Sequence, residues 1–201
     1  GLNGKTIGIV GTGKIGRAFI SICKGFNLTV SAYDPYPVKD DGITYVSFED
    51  LCRQSDIISL HCPLTKETKY IINEESISKM KNGVYILNTS RGSLIDSEAL
   101  LNALRSKKIG GAGLDVYEEE TDLFYEDLSY QVISDDILSG LISMPNVIVT
   151  SHQAFLTEEA LSNIAETTVQ NILDLTGKGE CPNELCYHCN GTEDCKTGKC
   201  F

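Results

Sequence analysis

Three kinds of reactive side chain follow separate apolar runs of this 201-residue chain. Arg91 follows one run, the acidic cluster 118–120 a second, and His152 a third. A guanidinium can grip a carboxylate through two parallel hydrogen bonds. An imidazole can protonate a carbonyl oxygen as a hydride arrives, and a neighbouring carboxylate orients that imidazole and favours its charged form. A 2-keto acid needs such a set for its reduction. Each residue alone has an ordinary structural reading, namely a turn cap, solvated charge or a satisfied loop histidine, and only their convergence favours catalysis.

A glycine-rich stretch, residues 11–16, follows the first apolar run with the sequence Gly-Thr-Gly-Lys-Ile-Gly and opens a helical pattern. Glycines at these positions permit a tight turn, close approach of a pyrophosphate and tight packing of helix on strand. Asp34 ends the next apolar run, where a carboxylate would bind a ribose 2′-hydroxyl and repel a 2′-phosphate. Pro35 and Tyr36 follow it and no Arg stands beside it, which favours NAD over NADP. The alternative is a glycine-rich turn with a surface Asp.

Short apolar runs alternate with stretches of helical periodicity along most of the chain. Strict alternation predicts an α/β fold, a doubly wound parallel sheet of the Rossmann type that is covered on both faces. Ser47 and Asn73 are predicted N-caps, Gly177 is predicted to end the last helix, and Ile15, Phe19 and Ile22 form one stripe of the first helix. The predicted strands are 5–10, 28–33, 56–60, 83–88, 111–115 and 146–150, and the predicted helices are 14–24, 47–53, 73–80, 97–106 and 157–176.

Ligands of such sheets bind beyond the carboxyl ends of the strands. The candidate site residues are therefore those that follow the strands. The third strand is followed by His61-Cys62-Pro63, the fourth by Thr89-Ser90-Arg91-Gly92, the fifth by Asp115 to Glu120, and the sixth by Ser151-His152.

These motifs together resemble the NAD-dependent D-2-hydroxyacid dehydrogenases, most closely the D-lactate dehydrogenase branch. The resemblance covers nearly everything from Leu2 to about Gly179. The matching stretches are Val10–Gly16, Ala32-Tyr33-Asp34-Pro35-Tyr36-Pro37, Leu60-His61-Cys62-Pro63-Leu64-Thr65, Asn88-Thr89-Ser90-Arg91-Gly92, Gly113-Leu114-Asp115-Val116-Tyr117-Glu118 and Ser151-His152-Gln153-Ala154-Phe155.

The resemblance implies a role for each of these positions. Arg91, Glu120 and His152 would be catalytic; Glu120 is selected because it lies five residues past Asp115. Arg91, His152 and Phe155 would contact the substrate. The predicted cofactor contacts are Gly11, Gly13, Lys14, Ile15, Gly16, Asp34, His61, Cys62, Pro63, Thr68, Thr89, Ser90 and Asp115.

The implied activity is hydride transfer between NAD(H) and a small D-2-hydroxy or 2-keto acid, D-lactate and pyruvate being favoured, in a homodimer. D-2-hydroxyisocaproate dehydrogenase is one alternative, because the insertion 122–143 resembles both enzymes. The other alternative is an NAD-responsive, non-catalytic docking protein of the same fold, similar to the C-terminal-binding-protein corepressors. In this family an N-terminal segment builds most of a second, substrate-binding lobe, and this chain lacks it. We therefore expect an NAD-binding domain at 1–179 and a Cys-rich tail at 180–201, and little turnover if this chain is all that exists.

Composition narrows the partners further. With 17 Lys and Arg against 28 Asp and Glu, the net charge is -11, which argues against nucleic acid and anionic membrane surfaces. No apolar run is long enough to cross a bilayer. Scattered thiols within apolar runs predict a cytoplasmic protein. We predict no metal; the weaker possibility is a zinc site, and the alternative for the tail is a mobile or disulfide-linked segment. The candidate ligands for that zinc are Cys186, Cys189, Cys195 and Cys200.

Overall fold

The computed structural model describes residues 1–38, 42–118, 135–178 and 182–183. The chain divides into two compact units, Gly1–Ala154 and Phe155–Phe201. Glu120 and the four candidate zinc ligands of the tail lie outside the described residues, and the domain boundary at 179/180 stays a prediction.

The first unit is built on a six-stranded parallel sheet with the order β2-β1-β3-β4-β5-β6. This confirms the predicted fold class, and the observed strands differ from the predicted ones by one or two residues at their ends. The strands are β1 (Thr6–Val10), β2 (Thr29–Tyr33), β3 (Ile57–Leu60), β4 (Val84–Asn88), β5 (Ile109–Leu114) and β6 (Val147–Val149).

The register of the sheet lines up the last residues of all six strands. Val10 pairs with Tyr33 on one side and with Leu60 on the other, and the row continues through Asn88, Leu114 and Val149. The residues that follow the strands therefore start from one common edge of the sheet.

Helices begin where side chains cap the free backbone N–H groups. Ser47 accepts from the Asp50 N–H, and Asn73 forms a reciprocal capping box with Ser76, which confirms both predicted caps. Asp96 caps the fourth helix in the same way. The helices of this unit are α1 (Lys14–Gly25), α2 (Phe48–Gln54), α3 (Glu74–Lys79), α4 (Ser97–Arg105) and α5 (Asp136–Ile142), with a 3₁₀ turn at Gly92–Leu94.

Helix α5 lies within the insertion that the sequence left without an assigned element. Asp135 caps it by accepting from the Ile137 and Leu138 N–H groups, and the Tyr117 hydroxyl donates to the other Asp135 oxygen at 2.6 Å. Leu138 and Leu141 are buried. This end of the insertion is thus ordered by a cap and by its apolar residues.

Two apolar clusters lie on opposite faces of the sheet, because successive strand residues point to opposite sides. On one face, Ile7 and Ile9 of β1 pack with Ile20 and Cys23 of α1. On the other face, alternating residues of the strands pack with α2, α3, α4 and α5. That larger cluster includes Val10, Ile58, Leu60, Val84, Ile86, Leu51, Ile77, Leu100, Leu104 and Leu141.

The buried stripe of α1 is not the predicted one. Ile15 is 72% exposed and Ile22 is 56% exposed, whereas Gly16, Ile20 and Cys23 are buried. The reason is Gly16: an added Cβ would collide with the Gly11 carbonyl oxygen, so the helix approaches the strand on its glycine side. The predicted stripe of Ile15, Phe19 and Ile22 therefore lies beside the contact between the helix and β1, and not within it.

The second unit contains α6 (Glu158–Lys178). The prediction that Gly177 ends this helix was wrong, because the helix runs through it. Gly177 is not among the glycines with the left-handed backbone that a terminating glycine requires. Across the described residues, no helix combines the length and the apolar character needed to cross a membrane.

Candidate functional site

The glycine-rich turn joins β1 to α1 and allows very close backbone contacts. Gly11 has φ +94°, and a Cβ there would lie 2.7 Å from the Cys62 backbone nitrogen. Gly13 is the N-cap of α1, with no side-chain cap, and a Cβ on it would enter open space. A helix N-terminus presents backbone N–H donors to an anion. The turn therefore fits a pyrophosphate at Gly13, while Gly11 and Gly16 allow the backbone to pack behind it.

Asp34, one residue past β2, is held by three donors. The Thr12 N–H and the Thr12 hydroxyl donate to Oδ2 at 2.7 and 2.8 Å, and the Tyr36 N–H donates to Oδ1 at 2.9 Å. A carboxylate has about four acceptor positions, so one remains on Oδ1 for a ribose hydroxyl. Burial raises the pKa of Asp34, but these bonds and the charge of Arg17 outweigh it and hold the pKa below its usual value.

The structure places an Arg near Asp34, although no Arg stands beside Asp34 in the sequence. Arg17 stands one turn into α1, its Nε donates to the Thr12 carbonyl at 2.9 Å, and its charge contributes to the low pKa of Asp34. The predicted preference for NAD therefore depends on Asp34 itself and not on the absence of a nearby cation.

Two uncharged side chains follow β3, the half-buried His61 and the buried Cys62. The His61 ring lies 5.1 Å from the Phe19 ring, and its Nε2 is 2.9 Å from the Ser59 hydroxyl. Burial lowers the pKa of His61 and raises the pKa of the Cys62 thiol to about 11, so both side chains are neutral at physiological pH. His61 is therefore a poor candidate for the proton donor that the predicted mechanism needs.

Two hydroxyls fix the loop after β3. Thr68 donates to the Pro63 carbonyl at 2.7 Å, and Ser90 donates to the Cys62 carbonyl at 2.7 Å. Ser90 thereby ties the end of β4 to the end of β3, next to the glycine-rich turn. Both hydroxyl groups have structural partners here, and their predicted contact with the cofactor stays a prediction.

Arg91 leaves the sheet edge from a turn that Asn88 organises. The buried Asn88 side chain accepts from the Ser90 N–H at 3.0 Å and donates to the Arg91 carbonyl at 2.9 Å. Arg91 itself is exposed, and its Nη1 donates to the Ser90 carbonyl. A Cβ on Gly92 would collide with the Tyr117 backbone, so glycine is required where this turn passes the residues after β5.

Asp115, the first residue after β5, holds the loop that carries His152. Asp115 is 5% exposed, and its carboxylate accepts from the Thr150 hydroxyl, the Gln153 N–H (2.9 Å) and the Ala154 N–H (2.8 Å). Its carbonyl accepts from the His152 N–H at 2.7 Å. His152 has φ +52°, a conformation that a non-glycine residue keeps only when its surroundings enforce it.

The partners of Asp115 are functional positions that the sequence reasoning missed. Thr150, Gln153 and Ala154 bind Asp115, and this arrangement fixes the backbone of His152. A run of polar and small residues around a single His carries no pattern that indicates such a clamp. Asp115 thus serves the His152 loop, and its predicted contact with the cofactor stays a prediction.

Of the three acidic residues at 118–120, the structure describes Glu118. The Tyr70 hydroxyl donates to Glu118 Oε1, and Tyr70 itself has φ +54°. Glu118 is therefore occupied by a bond to the loop after β3. Glu120, the predicted catalytic carboxylate, lies outside the described residues.

A groove of about 520 Å³ runs along the carboxyl edge, between α1 and the ends of the strands. Four predicted cofactor contacts line it, namely Ile15, His61, Thr89 and Asp115. Its walls are mostly apolar, which suits a ring system with few polar groups. A wider concavity, of about 670 Å³, lies around the amino ends of β3 and β4 and contains none of the predicted site residues. Phe155, the remaining predicted substrate contact, belongs to the second unit and is 50% exposed.

A metal centre finds no support in the described part of the chain, where no three His, Cys, Asp or Glu side chains come together. Cys23, Cys52 and Cys62 are free and buried. The zinc candidates of the tail lie outside the described residues, and the zinc site stays a prediction.

Comparison with known proteins agrees with this geometry. The family model for the D-isomer specific 2-hydroxyacid dehydrogenase NAD binding domain matches residues 1–154. The D-lactate dehydrogenase of Escherichia coli strain K12 is 53% identical over 185 residues, which are 90% of this chain and 56% of that protein.

Solved structures point the same way. The pyruvate reductase of Chlamydomonas reinhardtii superimposes with a TM-score of 0.82 at 50% identity, over 87% of this chain and 54% of that one. The D-lactate dehydrogenase of Lactobacillus jensenii with NAD⁺ gives 0.78 at 35% identity, over 88% and 53%.

The chain spans about half the length of these relatives. The relatives are dehydrogenases and a reductase, so they do not favour the docking-protein alternative. The family match covers the whole first unit, including the glycine-rich turn, Arg91 and His152. The chain therefore belongs to the D-isomer specific 2-hydroxyacid dehydrogenase family and carries its NAD-binding domain.

Proposed function

We propose that this protein is an NAD-dependent oxidoreductase that interconverts a small D-2-hydroxy acid and its 2-keto acid, with D-lactate and pyruvate as the favoured pair. The observation that carries the proposal is the aligned row of strand ends. Because the six strands end in one row, Asp34, the glycine-rich turn, Arg91 and the His152 loop all start from the same edge.

Arg91 is the proposed anchor of the substrate carboxylate. Its guanidinium is exposed at the sheet edge, and its backbone is fixed by Asn88, so two parallel hydrogen bonds to a carboxylate are geometrically available to it. This grip also brings a positive charge beside the adjacent ketone and polarises it.

His152 is the proposed proton donor to the ketone oxygen, and Glu120 is the proposed carboxylate that orients it. The clamp through Asp115 holds the backbone of His152 in one conformation, so the loop that carries the imidazole is fixed in advance. NADH, when bound along the glycine-rich turn, supplies the hydride.

The choice of substrate and the assembly belong to the proposal as well. Pyruvate and D-lactate are favoured because the similar proteins are named a D-lactate dehydrogenase and a pyruvate reductase. Buried unpaired thiols at Cys23, Cys52 and Cys62 support a reducing, cytoplasmic compartment. A homodimer and no nucleic-acid or membrane partner are further elements of the proposal, the latter supported by the net charge of -11.

The test is NADH oxidation with pyruvate, 2-ketoisocaproate and other keto acids, in the longest natural form of the protein. His152→Ala should lower kcat by about 10²- to 10⁴-fold, the usual worth of a general acid, with little change in the Kd for NADH. His188→Ala is the matched control and should keep the wild-type kcat, because His188 lies in the Cys-rich tail outside the predicted NAD-binding domain.

Retention of the wild-type rate by His152→Ala would exclude this mechanism. Absence of turnover on every keto acid, together with capture of a partner protein only in the presence of NADH, would instead establish the docking-protein alternative. A preference for 2-ketoisocaproate over pyruvate would move the protein to the hydroxyisocaproate branch.

A further inference from the structure

A chain of hydroxyl groups leads from Tyr45 through Thr12 to Asp34. Tyr45 Oη is 3.2 Å from Thr12 Oγ1, which is 2.8 Å from Asp34 Oδ2. Tyr45 stands next to β2 through a bridge with Ala32. Thr12 is the variable residue between the first two glycines of the turn, and it is only 5% exposed. Neither Thr12 nor Tyr45 was singled out by the motif.

The chemistry of these groups fixes the direction of both hydrogen bonds. An ionised carboxylate only accepts, so the single hydroxyl proton of Thr12 must go to Asp34. Thr12 Oγ1 is then left as an acceptor, and Tyr45 must donate to it. Hydrogen bonds in such a chain polarise one another, so the Tyr45 donation strengthens the grip of Thr12 on Asp34.

Thr12 also separates two opposite charges. Its N–H and hydroxyl bind Asp34, whereas its carbonyl accepts from Arg17 Nε at 2.9 Å. A ribose 2′-hydroxyl can donate to the free acceptor position of Asp34, whereas a 2′-phosphate carries only negative acceptors and is repelled by this carboxylate. The choice between the two cofactors therefore depends on how firmly the Asp34 carboxylate is held in place.

We propose that Thr12 and Tyr45 are positioning residues for cofactor selectivity, which hold the Asp34 carboxylate in the orientation that accepts NADH and rejects NADPH. The proposal rests on the NAD dependence of the proposed function and on the predicted role of Asp34 in binding the ribose 2′-hydroxyl. It adds two residues that do not themselves contact the ribose, and it assigns the variable position of the glycine-rich turn a task in specificity.

The test is calorimetric titration of the 201-residue chain with NADH and with NADPH. Thr12→Val keeps the shape of the side chain but removes the hydroxyl, and it should reduce the preference for NADH by about tenfold. Tyr45→Phe should reduce it by about threefold. Thr12→Ser keeps the hydroxyl and should keep the wild-type ratio of NADH affinity to NADPH affinity. Tyr85→Phe, near the amino end of β4, is the control for loss of a tyrosine hydroxyl and should change nothing.

The pH dependence separates positioning from a merely structural role. The ionised form of Asp34 accepts the ribose hydroxyl more strongly than the protonated form, and loss of the Thr12 hydroxyl raises the pKa of Asp34. In Thr12→Val the acid-side fall of NADH affinity should therefore move to higher pH, whereas in Tyr85→Phe it should stay where the wild type has it. Should Thr12→Val fail to fold, Tyr45→Phe and Thr12→Ser decide the matter.

The outcomes distinguish the two levels of the argument. Asp34→Ala is the reference: if the wild type shows no preference for NADH, or Asp34→Ala keeps it, the assigned role of Asp34 fails. If Asp34→Ala loses the preference while Thr12→Val and Tyr45→Phe both keep the wild-type ratio and pH profile, the proposed chain of hydroxyls is refuted and the role of Asp34 stands.

Discussion

Asp115→Asn tests how the His152 loop is held in place. The substitution keeps the shape of the side chain but replaces one carboxylate oxygen by an amide that cannot accept. The remaining oxygen can serve the Thr150 hydroxyl and the Gln153 N–H, as Oδ1 does now. The Ala154 N–H, which is bound to Oδ2 at 2.8 Å, would then face another donor.

The expected cost follows from these contacts. One hydrogen bond to a charged group is worth about 1.5–3 kcal/mol, and stranding a buried N–H adds about 1–3 kcal/mol. Allowing for relaxation of the loop, we expect a loss of about 3 kcal/mol. For a chain of this size that corresponds to a fall in Tm of about 6–12 °C.

The loss should depend on pH. Burial raises the pKa of Asp115, but the bonds from Thr150, Gln153 and Ala154 and the nearby His152 outweigh it, so the pKa of Asp115 lies below its usual value. A lowered folded-state pKa gives stability that is present above the unfolded-state pKa of about 3.9 and is lost as pH falls through the folded value. The difference between wild type and Asp115→Asn should therefore be full near neutral pH and shrink in acid.

The assay is thermal unfolding across pH combined with hydrogen exchange at residues 152–154. Asp56→Asn is the matched control, because Asp56 accepts from the Thr6 N–H and Lys81 at the opposite, more exposed edge of the sheet. It should leave exchange at 152–154 unchanged. An unaltered Tm near neutral pH, together with unaltered protection of the Gln153 and Ala154 amides in Asp115→Asn, would refute the clamp.

Two further substitutions probe the turn that carries Arg91. Gly92→Ala should destabilise the chain by about 1–3 kcal/mol, because the added Cβ meets the backbone of Tyr117. The control is Gly25→Ala, in open space at the end of α1, which should stabilise the chain by up to about 1 kcal/mol in the same unfolding measurement. Equal effects of the two substitutions would contradict the close approach at Gly92. Arg91→Lys should lower kcat/KM for pyruvate by about 10²-fold without changing the Kd for NADH, since a single ammonium cannot form two parallel bonds, and steady-state kinetics with unchanged kcat/KM would remove Arg91 from substrate binding.

The sequence predicted the sheet well because each strand is a short, mostly apolar run between stretches of helical periodicity. Gly11, Asp34 and Asp115 each follow such a run directly, so their place at the carboxyl edge follows from parallel topology. Ser47 and Asn73 were identifiable as caps because their side chains act within four residues of sequence.

What the sequence did not predict depends on contacts between distant segments. The buried side of α1 is set by the approach of Gly16 to the Gly11 carbonyl, which the spacing of large residues does not encode. Arg17 of α1 and Tyr45, which pairs with Ala32 of β2, both donate hydrogen bonds to Thr12. Glycine is a common residue type at the end of a helix, but the residue type alone does not place the backbone of Gly177 in the left-handed region.

The alignment of the strand ends also has a consequence for folding. Since the predicted cofactor contacts follow the strands β1 to β5, the dinucleotide site is complete only once these strands have paired. Such non-local pairing is slow to form. The dinucleotide should therefore bind the native state alone and slow unfolding without speeding refolding, which makes it a kinetic stabiliser of this domain.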